Sequence, residues 1–291
     1  MQPNVTTFHH AGTGTWTYVV ADPVSREAAI IDPVLDYDWK SGRTDTAAAD
    51  RIVEHARANA LQLRWILETH AHADHLSSAQ YLKRVLGGET AIGQGIRSVQ
   101  RTFKTLFGLG PEFQPDGSQF DRLLDDDATL PLGTGSIHVM PTPGHTNDSV
   151  SFLVGNAVFI GDTLFMPDSG SARCDFPGGD AAELYRSLQR LFSLPSGTRV
   201  FVCHDYSPGG RAAVCETTID EQRRANTHIR DGVDQAAFVK MRTARDATLD
   251  VPNLIIASVQ VNIRAGRLPP AEADGVSYLR VPLDVFGKPK Q

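Results

Sequence analysis

Residues 67–78 read LETHAHADHLSS, and within six positions they place His70, His72, Asp74 and His75. Imidazole and carboxylate are the side chains that hold divalent metal ions. Four titratable groups this close would repel one another, or need costly desolvation, unless a cation binds among them. Metal binding is therefore the reading of this stretch. Three more residues can join it: His145 in TPGHT, Asp162 in FIGDTLF and His204 in FVCHDY. Gly144 and Gly161 immediately precede two of these and allow tight turns that aim the side chain outward. The remaining histidines, His9, His10, His55, His138 and His228, stand apart from the cluster and read as ordinary polar residues, His55 and His228 within helices.

The surrounding elements must bring the seven residues together. LRWILET (63–69) reads as a buried strand ending at the histidine-rich loop, and LSSAQYLKRVLGG then reads as a helix closed by Gly87-Gly88. GSIHVMPTPGHT, VSFLVGNAVFIGDTLF and TRVFVCHDY each read as strands ending in a metal-competent residue. The site thus falls at strand ends, the usual place in α/β proteins. Upstream, TWTYVVAD and REAAIIDPV read as strands around a turn at Asp22-Pro23. TDTAAADRIVEHARANAL reads as a helix, with Ile52, Val53, Ala56 and Ala60 on one face and Thr44 or Asp45 as its cap. Asp180 with Glu183, Thr218 with Glu221, and Asp234 mark three further helix starts. Asp125-Asp126-Asp127 reads as a solvated turn, and strands followed by helix on each side of about residue 125 suggest a duplicated half.

Composition narrows the class. The 291 residues are 41% apolar and 21% charged, as in a globular chain with a sizeable core in one large or two intimate domains. Twenty-eight Lys and Arg against 34 Asp and Glu leave a net charge of −6 with no basic stripe, so no nucleic-acid partner is expected. Cys174, Cys203 and Cys215 are odd in number and form no CxxC pair, which points to a reducing compartment. The N-terminal MQPNVTTFHH lacks the features of a signal peptide, and no run approaches the roughly 18 apolar residues of a membrane span. A cytoplasmic, soluble protein without a membrane partner is expected.

The order HAHADH, then Gly144-His145, Gly161-Asp162 and His204, resembles the metallo-β-lactamase superfamily over about residues 5 to 210. The resemblance implies an α/β fold, an αββα sandwich. DSGSARCDFPGGDAAELYRSLQRLFSLP, VFVCHDYSPGGR and MRTARDATLDVPNLIIASVQVNIRAGRLPP further resemble bacterial persulfide dioxygenases, a branch beside glyoxalase II, so that the likeness covers residues 5–285. A single domain over 1–291 is expected, with residues 230–291 as a C-terminal extension packed on the core.

That branch implies one Fe(2+) per chain held by His70, His145 and Asp162, a facial triad that leaves positions open for dioxygen, substrate and water. It implies oxidation of glutathione persulfide by O2 and water to sulfite and glutathione, in sulfide detoxification. His72, Asp74, His75 and His204 would orient the ligands. Arg173 is the candidate clamp for a substrate carboxylate, Tyr206 and Arg211 are candidates for the same cleft, and Asp175 is expected to brace the loop. Cys174, beside Arg173, reads either as a persulfide carrier or as a buried structural thiol. The branch also implies a homodimer or homotetramer.

Two rival readings use the same residues. In a dizinc thioester hydrolase of the glyoxalase II kind, His70, His72 and His145 would hold one metal and Asp74, His75 and His204 the other, with Asp162 bridging. The shared water would then ionise near pH ~7. The C-terminal region looks unlike the substrate domain of that family. A catalytically silent sulfur-carrier or binding protein on the same fold is the third reading.

Overall fold

The structure is a computed structural model and describes residues 1–287. Residues 288–291, the end of the expected C-terminal extension, lie outside the described residues. The first half runs β1 (Asn4–His10), β2 (Thr15–Ala21), β3 (Glu27–Ile31), β4 (Val34–Asp38), β5 (Arg43–Asp45), α1 (Ala47–Ala58), β6 (Gln62–Glu68), β7 (Leu76–Ser77), α2 (Ala79–Leu86), β8 (Glu89–Gly93), α3 (Ile96–Leu106) and β9 (Arg122–Leu124). The second runs β10 (Thr129–Leu132), β11 (Gly135–Pro141), β12 (Val150–Val154), β13 (Ala157–Phe159), α4 (Ala181–Phe192), β14 (Arg199–Phe201), β15 (Glu216–Thr218), α5 (Ile219–Ala225), α6 (Gln235–Asp246) and α7 (Ile255–Asn262).

Each half builds one six-stranded sheet, ordered β1-β2-β3-β6-β8-β9 and β10-β11-β12-β13-β14-β15. The changeover falls at the exposed acidic turn Asp125–Asp127. Inner faces of both sheets supply one buried cluster, with Tyr18, Val20, Ile31, Trp65 and Leu67 from the first and Val139, Phe152, Phe159 and Phe201 from the second. Burial of such side chains stabilises by roughly 1.5–3 kcal/mol each, so this shared core is the main force joining the halves. Outside it, α4 packs Leu184, Leu188 and Leu191 against Val158 and Val200, and Phe238 of α6 joins them. On the other sheet α1 and α2 bury Ile52, Val53, Ala79 and Leu82 against Val19, Ile30 and Ile66. Helices thus cover both outer faces, an αββα sandwich.

Three helix starts lie where the side chains dictate: Asp180, Thr218 and Asp234 each accept a hydrogen bond from the backbone N–H three residues on. The first helix departs from expectation. Thr44 and Asp45 pair with Tyr37 and Asp36 in a hairpin, so α1 begins only at Ala47, although the Asp45 carboxylate still accepts from the Ala47 N–H. Ala60, expected on its buried face, lies beyond its end. Similarly, Leu76 and Ser77 pair with Leu35 and Val34, which delays α2 to Ala79. His228 sits half-buried in a turn rather than a helix. Among the described residues no helix is long and apolar enough to cross a membrane.

Candidate metal centre

β6 ends at Glu68, and the irregular loop that follows carries His70, His72, Asp74 and His75 before β7 and α2 resume regular structure. His145 arrives from the loop after β11, Asp162 from the turn after β13 and His204 just beyond β14. Two glycines make this convergence sterically feasible. A Cβ on Gly144, whose φ is +133°, would lie 2.3 Å from the Leu184 backbone nitrogen. One on Gly161, at φ +51°, would lie 2.4 Å from Thr69 Oγ1.

One ligand atom each from His70, His145 and Asp162 lies within 4.8 Å of the others. A second group of this kind is formed by His72, Asp74 and His75. His204 Nε2 stands between them, 3.4 Å from Asp162 Oδ1 and 3.2 Å from Asp74 Oδ2. The His70, His72, His75, His145 and His204 side chains are all buried. Among the described residues, His70 Nε2, His72 Nδ1, His75 Nε2, His204 Nε2 and Asp162 Oδ1 have no hydrogen-bond partner. Buried polar atoms are normally satisfied, so the orphaned His70 Nε2 and Asp162 Oδ1 fit a divalent metal that would take them as ligands, and the orphaned His72 Nδ1, His75 Nε2 and His204 Nε2 mark a second set of donors beside it.

The tautomers follow from the outer partners. His145 Nδ1 lies 2.8 Å from the Arg173 carbonyl oxygen, which only accepts, so Nδ1 carries the proton and Nε2 presents its lone pair. Asp32, fully buried, does the same for two more histidines. It accepts from Thr69 Oγ1 at 2.9 Å, and Thr69 in turn accepts from His70 Nδ1 at 3.0 Å, which frees His70 Nε2. Its other oxygen accepts from His72 Nε2 at 2.9 Å, which frees His72 Nδ1. Burial holds His70 and His72 well below the usual histidine range, in the neutral form that a ligand requires. Burial also raises the Asp162 carboxyl, which a bound cation would reverse. For His204 burial opposes the charge, but Asp162 and Asp74 outweigh it and lift the pKa. Asp32 ends a buried strand just as Asp162 does, and that shared position is the signal by which sequence reading could have found it.

A cavity of about 400 Å³ opens onto this cluster and is lined by Asp74, His145, Asp162 and His204 together with Phe165, Arg173, Phe176 and Tyr206. Tyr206 lies alongside His204, ring centroids 6.3 Å apart. Arg173 gives Nε and Nη2 to Asp175, at 2.6 and 2.7 Å, and Nη1 to the Asp250 carbonyl, so two of its five N–H groups remain uncommitted. Asp175 is thus the brace that the sequence suggested. Arg211 departs from expectation. All five of its N–H groups are engaged by Asp168, Asp205 and the Ala212 carbonyl, which makes it a clasp between two loops with nothing left for a substrate. Sequence reading missed Arg245, an exposed residue of α6 that lines the cavity and has no ion pair among the described residues. The Cys174 thiol is buried, and that burial together with Asp246 pushes it up to about 12, which disfavours the thiolate that a persulfide carrier needs.

The family comparison matches residues 11–204 to the Metallo-beta-lactamase superfamily, and the chain belongs to that superfamily. Among relatives, it is 55% identical to a protein named probable metallo-hydrolase from Burkholderia pseudomallei, over 96% of this chain and 98% of the other. It is 48% identical to glyoxylase B2 of Dictyostelium discoideum, over 95% and 96%. It is also 28% identical to the mitochondrial persulfide dioxygenase ETHE1 of Bos taurus, over 88% and 87%. Of solved structures, ETHE1 from Myxococcus xanthus superposes with a TM-score of 0.72 at 29% identity, covering 91% of this chain and all of the other.

Proposed function

We propose that the protein is a persulfide dioxygenase with one Fe(II) held by His70, His145 and Asp162. The observation that carries this reading is the grouping of those three side chains, with donor atoms inward and tautomers set from behind. Two histidines and one carboxylate on one face are the donor set of non-haem iron oxygenases. The persulfide dioxygenase named among the relatives supports the reaction class. When bound, iron supplies the one-electron chemistry that dioxygen requires, which zinc cannot. The reaction consumes one persulfide, one O2 and one water, and yields one thiol, one sulfite and two protons.

The chain's own residues hold the substrate. The cavity volume suits a small molecule. Phe165 and Phe176 form apolar walls near the metal ligands, Phe176 standing edge-on to His145 at 5.1 Å, and shelter the reacting sulfur from water. The free N–H groups of Arg173 and the unpaired Arg245 suit the carboxylates of a glutathione-like carrier. Tyr206 flanks the same opening.

A dizinc hydrolase is the second reading. It is favoured by the names of the relatives in Burkholderia and Dictyostelium and by the second donor group of His72, Asp74 and His75. Comparing two variants separates the readings. Asp162→Ala should abolish iron retention, whereas Asp74→Ala should weaken it without eliminating it. Equal loss from both, measured as metal per chain after gel filtration, would favour two metals.

A further inference from the structure

We propose that Asn262 of α7 and Asp148 of the loop after His145 are positioning residues for the metal loop, fixing the backbone from which His70, His72, Asp74 and His75 project. The inference rests on the metal-centre reading above. Residues 69–75 contain no regular structure, so their buried backbone groups need partners from elsewhere. Asn262 supplies partners for two of them and for the Ser77 N–H of β7 just beyond. Its Nδ2 donates to the carbonyl oxygens of His72 and His75, both at 2.8 Å, and its Oδ1 accepts from the Ser77 N–H at 2.8 Å. Two donors and one acceptor are all placed, and the two bonded carbonyls belong to residues three apart. The amide therefore fixes the chord of the turn that carries Asp74.

Asp148 holds the other end. Its Oδ2 accepts from the Ala71 N–H at 2.8 Å, between His70 and His72. Its backbone is itself pressed into place, because a Cβ on Gly93 would lie 2.7 Å from the Asp148 carbonyl oxygen. One on Gly95 would lie 2.3 Å from the Asn147 carbonyl oxygen. Both side chains are buried, at 5% and 1% exposure, so water does not compete for these bonds. α7 is anchored on two sides. Ile255, Val259 and Ile263 pack in a cluster with Ala71, while Ala257 and Val261 pack with Leu76. The C-terminal segment is thereby fastened to the loop that presents the ligands.

The test titrates the apoprotein with Co(II), an air-stable and coloured probe, without substrate. Asn262→Ala removes the three bonds, and Asn262→Asp sets a carboxylate oxygen against the His72 and His75 carbonyls. Each should raise the Co(II) dissociation constant about 10- to 100-fold, the usual consequence of losing a group that orients ligands. A merely structural role would lower the melting temperature and leave that constant within twofold of wild type, and this result would overturn the proposal. A measurement on the wild-type chain needs no variant to fold: Co(II) should slow hydrogen exchange at the Ala71 and Ser77 amides and along α7. Unchanged exchange in α7 would also overturn it. A wild-type chain that binds no Co(II) would sink the metal-centre reading as well, whereas normal wild-type binding with unaltered variants sinks the clamp alone.

Discussion

At the scale of single residues, placement turns on which histidines are kept neutral and by what. His228 shows the rule outside the metal centre. Its Nδ1 accepts from the Ser171 N–H at 2.9 Å, a bond only the neutral ring can make at that atom. Burial, with Arg242 and Arg245 adding to it, pushes its pKa down to about 4. An unfolded chain would take up this proton near pH ~6.5, while the folded chain refuses it until about 4. The stabilisation is therefore complete above ~6.5 and is lost as pH falls through that window. Allowing for the solvent that reaches a half-buried ring, the loss should be about 1–2 kcal/mol. Urea unfolding of the apoprotein and of His228→Gln between pH 7 and 4.5 checks this. The stability gap between them should narrow with acid, and a gap that stays constant would refute the assignment.

At the scale of elements, the ligands depend on turns that tolerate no side chain. Gly144→Ala would force a Cβ against the Leu184 backbone at φ +133°, displacing either α4 or His145. A cost above about 2 kcal/mol is expected, with loss of bound metal. A denaturation midpoint like that of wild type would contradict it. These strand-turn-ligand units were legible because each pairs a buried apolar run with a glycine and a metal-type residue. Other elements carried no such contrast. α7, LIIASVQVNI and its neighbours, is buried on nearly every side, so its apolar residues show no period by which to tell helix from strand. β1 is a half-exposed edge strand with its two histidines partly buried beside β2, and nothing in NVTTFHH marks a boundary. The role of Asn262 was invisible for another reason. Its partners lie 185 to 190 positions away, so no local spacing announces them. Arg211 and Arg173 looked alike as sequence, and only the placement of Asp168 and Asp205 shows one saturated and the other partly free.

At the scale of the whole molecule, the centre is a joint between the two sheets. His70, His72, Asp74 and His75 come from the sheet built before residue 125, and His145, Asp162 and His204 from the sheet built after it. The hydrophobic core brings the sheets together, and the site occupies one edge of that contact. The shared fold serves hydrolases and oxygenases alike, so the number and identity of the metals decide between them. The most direct test loads the purified chain with one Fe(II) and follows oxygen on addition of glutathione persulfide. One O2 consumed for each sulfite formed is the predicted result. No oxygen uptake, with thioester hydrolysis once two zinc ions are bound, would contradict it.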